Sequence, residues 1–99
     1  MSQFISSVRF TAKPGQSDSL VKALTAFQLP TGALNHVVAH TGGESFFTYV
    51  MWKDEQDLVN ARPDLIAFLD TVRDLLVELS PELGVTDPVS GPVLANIQA

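Results

Sequence analysis

The sequence contains no cysteine, so it offers neither a disulfide framework nor a metal site built on thiolates. Small secreted domains often depend on disulfides, and the absence of cysteine therefore favours a cytoplasmic location. Basic residues are also scarce: 6 Lys and Arg stand against 11 Asp and Glu, for a formal net charge of -5. Such a chain repels nucleic acid and anionic membrane surfaces, so we expect neither as a partner.

Long hydrophobic runs are absent as well. No apolar stretch approaches the roughly 20 residues that cross a membrane. The first residues, Met1, Ser2 and Gln3, lack the basic and apolar regions of a signal peptide. The rest of the composition, 45% hydrophobic and 17% charged, is that of a globular chain, and 99 residues predict a single domain over residues 1–99.

Hydrophobic periodicity predicts a β-α-β-β-α-β order, which is typical of a ferredoxin-like α+β fold with helices on one face of an antiparallel sheet. Pro63 predicts a break in the second helical region, because the residue before a proline disfavours helical geometry. Ser17 and Asp54 are the expected N-caps. The predicted strands are Phe4–Thr11, Leu34–Thr41, Ser45–Trp52 and Val93–Ile97, and the predicted helices are Ser17–Phe27, Asp54–Asn60 and Pro63–Leu79.

The end of the chain is less regular than the rest. Pro88 and Pro92 lie close to the last predicted strand, and proline within a sheet is confined to edges. Residues 90–99 are therefore predicted to form an edge strand or an arm that reaches a partner subunit.

The third predicted strand is apolar on both faces, which predicts a homodimer. Phe46, Val50 and Trp52 share one face, whereas Phe47, Tyr49 and Met51 share the other. Two helices can cover only one face of the sheet, and a water-exposed face would be polar. The second face is therefore expected to pack on the same face of another copy, the alternative being a covering tail. Arg9 in the first strand is expected to pair with an acid across the sheet.

Three short segments of the chain carry a family resemblance. They are Phe10–Gly15 ahead of a helix, Pro30–Leu34, and Phe46–Glu55, in which a strand-ending Trp is followed by Lys, Asp, Glu and a helix. Together, over about residues 4–80, they resemble the antibiotic biosynthesis monooxygenase family of dimeric α+β barrels. The resemblance implies a ferredoxin-like protomer whose sheet pairs with that of a second subunit, and a pocket between each sheet and its helices.

The resemblance also implies a chemistry. Family members oxygenate anthrones and quinols with molecular oxygen and use neither metal nor flavin, so we expect no cofactor and no metal ion. Other members degrade haem through a His on the second helical segment. This sequence has no His after position 40, so haem chemistry is not expected.

Individual family positions carry over unevenly. Trp52 matches the strand-ending Trp that lines the pocket of the anthrone oxygenases. Thr48 stands where those enzymes have an Asn four residues before the Trp, and Val8, or Ser7 if the register shifts by one, stands where they have an Asn on the first strand. Both amide positions are therefore replaced.

The candidate catalytic residues are Trp52, which could stack on a flat aromatic ligand, and His36, which could act as a general base. His36 and His40 lie about 13 Å apart on an extended strand, so they do not share a metal ion. The alternatives are a core Trp and a structural His. The expected substrate-binding residues are Thr48, Phe46, Val50, Arg62 and Phe68.

The resemblance implies a cofactor-independent monooxygenase acting on an aromatic polyketide-like or quinol substrate, and these residues are compatible with that reaction. Two alternatives use the same scaffold: a non-catalytic, stress-related dimeric barrel that binds small molecules, and an isomerase or cyclase with His36 as acid and base. Oxygen dependence separates the first hypothesis from the last, and turnover of any kind separates both from the binding protein.

Overall fold

The computed structural model describes residues 3–99, so Met1 and Ser2 of the N-terminal sequence considered above lie outside the described residues. A β-α-β-β-α-β order is present, as predicted. The elements are β1 (Phe4–Thr11), α1 (Ser17–Ala26), β2 (Ala33–Gly42), β3 (Ser45–Trp52), α2 (Glu55–Val72) and β4 (Asp87–Pro92), with a 3-10 turn (Arg73–Leu75) after α2.

The four strands form one antiparallel sheet in the order β2-β3-β1-β4. The two central strands, β1 and β3, are paired from Phe4 opposite Trp52 to Thr11 opposite Ser45. The hairpin between β2 and β3 turns at Gly42 and Gly43, which have φ values of 128° and 56° that favour glycine. This arrangement confirms the ferredoxin-like α+β fold.

Both helices pack on the face of the sheet that carries the even-numbered residues of β1 and β3. The buried side chains there form two clusters. The Trp52 cluster consists of Phe4, Val50, Trp52, Leu58 and Ala61. The Phe10 cluster consists of Phe10, Ala12, Leu20, Leu24, Phe46, Val72 and Leu76. The first half of α2 thus packs on one cluster, whereas α1 and the end of α2 pack on the other.

The predicted break at Pro63 is wrong, because α2 runs through it as one helix from Glu55 to Val72. Proline has a φ close to the helical value, but it forfeits the hydrogen bond that its missing N–H would give to the carbonyl of Val59, and its ring crowds that carbonyl. The helix contributes buried side chains on both sides of the proline, Leu58 and Ala61 before it and Val72 after it. Packing against the sheet outweighs the local preference.

The second helix ends earlier than the predicted Leu79. After the 3-10 turn the chain becomes extended and lies against the end of β1, with the Val77 N–H donating to Thr11 O at 2.9 Å and the Lys13 N–H donating to Leu75 O at 2.7 Å. These two backbone bonds place Leu76 opposite Ala12 in the Phe10 cluster. The apolar periodicity that predicted a longer helix continues through this segment, because Leu76 is buried in the extended chain as it would be on the inner face of a helix.

The last strand is Asp87–Pro92 rather than the predicted Val93–Ile97. It is an edge strand, as its two prolines predicted. The ion pair between Arg9 and Asp87, 2.8 Å long, helps to hold it and confirms the predicted pairing of Arg9. Beyond it, Leu94 and Ile97 are more than nine-tenths exposed.

The two predicted N-caps have different outcomes. Asp54 caps α2, its side chain accepting the N–H of Asp57 at 3.0 Å, as predicted. Ser17 does not cap α1, which is preceded by Gln16 without a side-chain cap. Instead, the Ser17 hydroxyl donates to the Glu44 carboxylate at 2.6 Å and thereby connects α1 to the β2–β3 hairpin.

Replacement of Pro63 by Ala tests the cost of the interrupted helix. Ala restores a donor for the Val59 carbonyl, so P63A is expected to raise the free energy of unfolding by about 1–3 kcal/mol, partly offset by a more flexible unfolded chain. Urea denaturation followed by circular dichroism measures the change. A free energy of unfolding equal to or below that of the wild type would contradict the account of α2.

Pro14 provides the matched control. It occupies the second position of a turn closed by the Gln16 N–H and Lys13 O at 3.0 Å, where the fixed φ of proline is favourable. P14A is therefore expected to lower the free energy of unfolding, by up to about 1 kcal/mol.

Candidate functional site

A cavity of about 420 Å³ lies between the helix-covered face of the sheet and the two helices. It occupies the space between the Trp52 cluster and the Phe10 cluster, which hold the sheet and helices together on either side of it. Most of its lining side chains are apolar, and several come from α2, among them Leu65, Ile66 and Leu69. A cavity of this size and character is typical of a site for a small organic molecule.

Three polar side chains lie on the floor of the cavity, and the strand register brings them together. Val50 on β3 is opposite Ser6 on β1 and opposite His36 on β2, while Thr48 lies two residues before Val50. Diagonal neighbours on a sheet are about 7–8 Å apart, so Thr48 lies at about this distance from each of the other two. We call Ser6, His36 and Thr48 the polar triangle.

Thr48 has a hydroxyl that the protein leaves free. The residue is 4% exposed and lines the cavity. Within residues 3–99 its side chain forms no hydrogen bond. Asp57 Oδ2 is the only completely buried side-chain oxygen or nitrogen without a partner among residues 3–99, so the Thr48 oxygen retains some exposure, which the cavity provides. Thr48 is therefore suited to a hydrogen bond with a molecule in the cavity.

His36 meets the electronic requirement of a general base. Desolvation by burial lowers the pKa of its imidazole below the ordinary value of 6.5, because the charged form loses hydration. The ring is therefore neutral at pH 7, with one nitrogen able to accept a proton. His36 also lines the cavity.

Trp52 and Phe46, both expected on the wall of the pocket, lie in the core beside it instead. Trp52 is 0% exposed, and its Nε1 donates to Ser6 Oγ at 2.9 Å. Phe46 packs in the Phe10 cluster, with its ring centre 6.1 Å from that of Phe10. Each is near an end of β3, where a helix covers the sheet, whereas the cavity lies above the middle of the strand. In this structure neither side chain faces the cavity.

The other expected binding residues line the cavity. Val50 belongs to its floor, and Phe68 belongs to α2, where its ring centre is 4.6 Å from that of Phe27. Arg62 is exposed but contributes to the lining, and it forms no ion pair within residues 3–99. A cation at this position attracts an anionic substituent such as a carboxylate or phenolate.

The positions that the resemblance leads us to compare with the two amides, Val8 or Ser7 and Thr48, also line the cavity. Val8, on the helix-covered face, is paired directly with Thr48. The Ser7 side chain donates instead to the carbonyl of Val89 at 3.0 Å, on edge strand β4. Of the two expected positions on β1, Val8 is thus the one whose side chain shares the helix-covered face with Thr48.

Ser6 is a polar residue of the cavity lining that the sequence analysis did not single out. Alternation placed it on the same face as Val8 and Phe10, but nothing in the sequence indicated its contact with Trp52, 46 residues away. Only the pairing of Phe4 with Trp52 brings the indole beside it. The sequence alone does not show the register between β1 and β3, on which this contact depends.

A second cavity, of about 640 Å³, lies outside the sheet, between residues 27–31 and α2. Its lining is more polar and includes Asp57, Asn60 and Asp64. Asp57 Oδ2 is buried without a hydrogen-bond partner in residues 3–99, but Lys53 Nζ lies 3.9 Å from it. The first cavity is the better candidate site because its few polar groups converge within an apolar enclosure.

Over residues 3–99, no group of three or more His, Asp or Glu side chains is arranged to hold a metal ion. Neither helix is long and apolar enough to cross a membrane, within the same described residues.

Known structures share this fold. A protein from Chloroflexus aurantiacus described as a candidate antibiotic biosynthesis monooxygenase superposes with a TM-score of 0.76 at 17% identity, covering 98% of each chain. The ActVA-Orf6 monooxygenase of Streptomyces coelicolor, solved with nanaomycin D, gives 0.73 at 19% identity, covering 99% of this chain and 93% of that chain. A point mutant of SnoaB, a cofactor-independent oxygenase of Streptomyces nogalater, gives 0.72 at 14% identity over 100% of both chains.

The sequence comparisons find no relatives: no protein-family model matches the chain, and no curated protein matches it. The similarity is therefore one of structure. The protein has the fold of the antibiotic biosynthesis monooxygenases, which confirms at the level of the fold the resemblance seen in its sequence.

The lowered pKa of His36 makes the stability of the fold depend on pH. The unfolded chain binds a proton at His36 more readily than the folded chain, so protonation favours unfolding. The contribution of neutral His36 to the free energy of unfolding is expected to be fully present above pH 6.5, the ordinary pKa. It is lost as the pH falls from there through the lower pKa of the folded state.

Urea denaturation between pH 7.5 and pH 5 measures this dependence, with H36Q as the comparison. The variant is expected to lose less stability than the wild type across this interval. Equal slopes for the two proteins would show that His36 is not buried in its neutral form.

Proposed function

We propose that the protein is a cofactor-independent monooxygenase that acts on an aromatic polyketide-like or quinol substrate with molecular oxygen. The observation that carries the proposal is the apolar cavity with a neutral imidazole, a buried hydroxyl and a peripheral guanidinium on its lining. The structural similarity to SnoaB and to the ActVA-Orf6 product supports the choice of reaction.

The substrate first has to be held flat in the cavity. In the proposed complex a fused aromatic ring lies over Val50 on the sheet, with the apolar side chains of α2, including Leu65 and Leu69, on its other side. The unpartnered hydroxyl of Thr48 accepts or donates one hydrogen bond at the edge of the ring. Arg62 attracts a phenolate or carboxylate substituent at the exposed end of the site.

His36 then removes a proton from the substrate. Its pKa, lowered by burial, keeps the imidazole unprotonated at pH 7 and able to accept that proton. The apolar surroundings exclude water, so the resulting carbanion or phenolate is not simply reprotonated by solvent. The electron-rich anion reduces molecular oxygen directly.

The overall reaction balances without a further reductant. For an anthrone, the ring CH₂ group and O₂ yield the C=O group of a quinone and one molecule of water. One oxygen atom forms the new carbonyl, and the other leaves in the water together with the two hydrogens of the CH₂ group. The substrate itself supplies the electrons, which removes the need for flavin or metal.

Oxygen uptake by the purified, chelator-treated protein tests this function. We expect uptake above the autoxidation rate with anthrones or hydroquinones and no added cofactor. H36A is expected to lower kcat by about 10²–10⁴-fold, the usual contribution of a general base. Leu83→Ala, at an exposed site outside the cavity, serves as the control and is expected to retain full activity.

Other outcomes of this experiment would support one of the alternative functions. Turnover that continues under argon would indicate an isomerase or cyclase, and binding without turnover would indicate a ligand-binding protein. Substrate-dependent uptake that is unchanged in H36A would contradict the role assigned to His36.

We further propose that the enzyme works as a cytoplasmic homodimer. The odd-numbered residues of β1 and β3 form the face of the sheet that no helix covers, and Val37, Phe47 and Val89 on this face are each more than one-third exposed. The segment after β4 does not cover this face, because Leu94 and Ile97 are themselves almost fully exposed. A two-fold axis would place this apolar face against its own copy.

Light scattering coupled to gel filtration tests the dimer. The wild type is expected to elute with twice the 10.7 kDa mass of the chain. F47E is expected to be monomeric at the same concentration, because a charge replaces an apolar side chain at the centre of the interface. V59E, on the outer side of α2 with a similar exposure of 39%, provides the matched control and is expected to remain dimeric.

A further inference from the structure

The Ser6 side chain connects the buried core to the cavity. Ser6 lies between Phe4 and Val8 on β1 and contributes to the cavity lining. Its Oγ accepts the hydrogen bond from Trp52 Nε1 at 2.9 Å. Within residues 3–99 the Ser6 hydroxyl has no other hydrogen-bond partner, so the contact with Trp52 is the one that fixes its direction.

The hydrogen-bonding capacity of the two groups determines whether Ser6 can also bond to a ligand. An indole N–H can only donate, whereas a serine hydroxyl carries one hydrogen and two lone pairs. The indole occupies one lone pair of Ser6 Oγ, and the hydroxyl hydrogen therefore points away from the indole. Because Ser6 also lines the cavity and has no other hydrogen-bond partner among residues 3–99, this hydrogen is available to a molecule bound in the cavity.

Trp52 is well placed to keep that donor in position. Its side chain is 0% exposed and packs against Phe4, Leu58 and Ala61, so the ring has no room to rotate. No water reaches its N–H, and a buried donor without a partner costs about 1–3 kcal/mol. The bond to Ser6 is therefore maintained whether or not a ligand is present.

We propose that Ser6 donates a hydrogen bond to an oxygen substituent of the aromatic ligand, and that Trp52 is a positioning residue that acts through Ser6 without touching the ligand. The preferred ligand carries a carbonyl or phenolate oxygen over the middle of β1. The proposal relies on the proposed function for the aromatic class of the ligand, but it does not depend on any reaction with oxygen.

A binding measurement tests the proposal without turnover. Anthraquinone carries acceptor oxygens, whereas anthracene has the same ring outline and none. Trp52 is the single tryptophan of the chain, so its fluorescence reports binding of both compounds. S6A is expected to bind anthraquinone about five- to tenfold more weakly than the wild type, which is the contribution of one neutral hydrogen bond, and to bind anthracene with unchanged affinity.

Two variants serve as controls for S6A. S45A removes a serine hydroxyl from the opposite face of the sheet, where Ser45 is hydrogen-bonded to Thr11 at 3.0 Å, and is expected to leave both affinities unchanged. S6T retains the hydroxyl and suits a strand, so it is expected to recover the affinity for anthraquinone. It also keeps the proposal testable if S6A is unstable.

The positioning role of Trp52 requires a double-mutant comparison, with binding measured by calorimetry. W52F is expected to weaken anthraquinone binding about two- to fivefold while leaving anthracene binding nearly unchanged, because the hydroxyl is retained but no longer oriented. The double variant S6A/W52F is expected to bind anthraquinone no more weakly than S6A alone. Additive losses would mean that Trp52 acts independently of Ser6 and would overturn the positioning role.

The outcomes distinguish this inference from the proposed function. Equal affinities of S6A and the wild type for anthraquinone would overturn the inference. They would not bear on the proposed monooxygenase function, which oxygen uptake tests separately. Ser6-dependent binding without any oxygen uptake would support the inference and contradict the monooxygenase. A wild-type protein that does not prefer anthraquinone to anthracene would overturn the donor role of Ser6.

Discussion

The pairing of β1 with β3 is the constraint on which the rest of the structure depends. It places Phe4 opposite Trp52 and Phe10 opposite Phe46, which are the sheet components of the two core clusters. A shift by one residue would turn every side chain of one strand to the other face. The cavity, the polar triangle and the bond between Trp52 and Ser6 all follow from this register, because each joins residues that only the pairing makes neighbours.

The elements of the fold were largely predictable because they depend on short-range patterns. Alternation identified β1 and β3 with their observed bounds, and the capping aspartate at position 54 marked the start of α2. The predictions were wrong at Pro63, at the end of α2 and at β4. In each case backbone hydrogen bonds or packing with distant residues outweighed a local preference, as where Val77 bonds to Thr11.

The lining of the cavity was likewise predictable only where it depends on short-range patterns. His36, Thr48, Val50, Arg62 and Phe68 were named from face and position, and they meet at the cavity. Trp52 and Phe46 share a face with Thr48, but a face extends along the whole strand and the cavity occupies only its middle. Position along a strand relative to the covering helices is a tertiary property. Ser6 was not predicted because its hydrogen bond with Trp52 depends on the pairing of two strands that are distant in the sequence.

Pro63 lies within the part of α2 that is attached to the Trp52 cluster. Leu58 and Ala61 before the proline and Leu65 after it all pack on this cluster, so the missing bond to the Val59 carbonyl is bridged by side-chain contacts with one set of residues. Further along the helix, Phe68 and Leu69 pack on the Phe10 cluster. The wall that α2 forms over the cavity is therefore braced by packing at the point where its backbone is weakest.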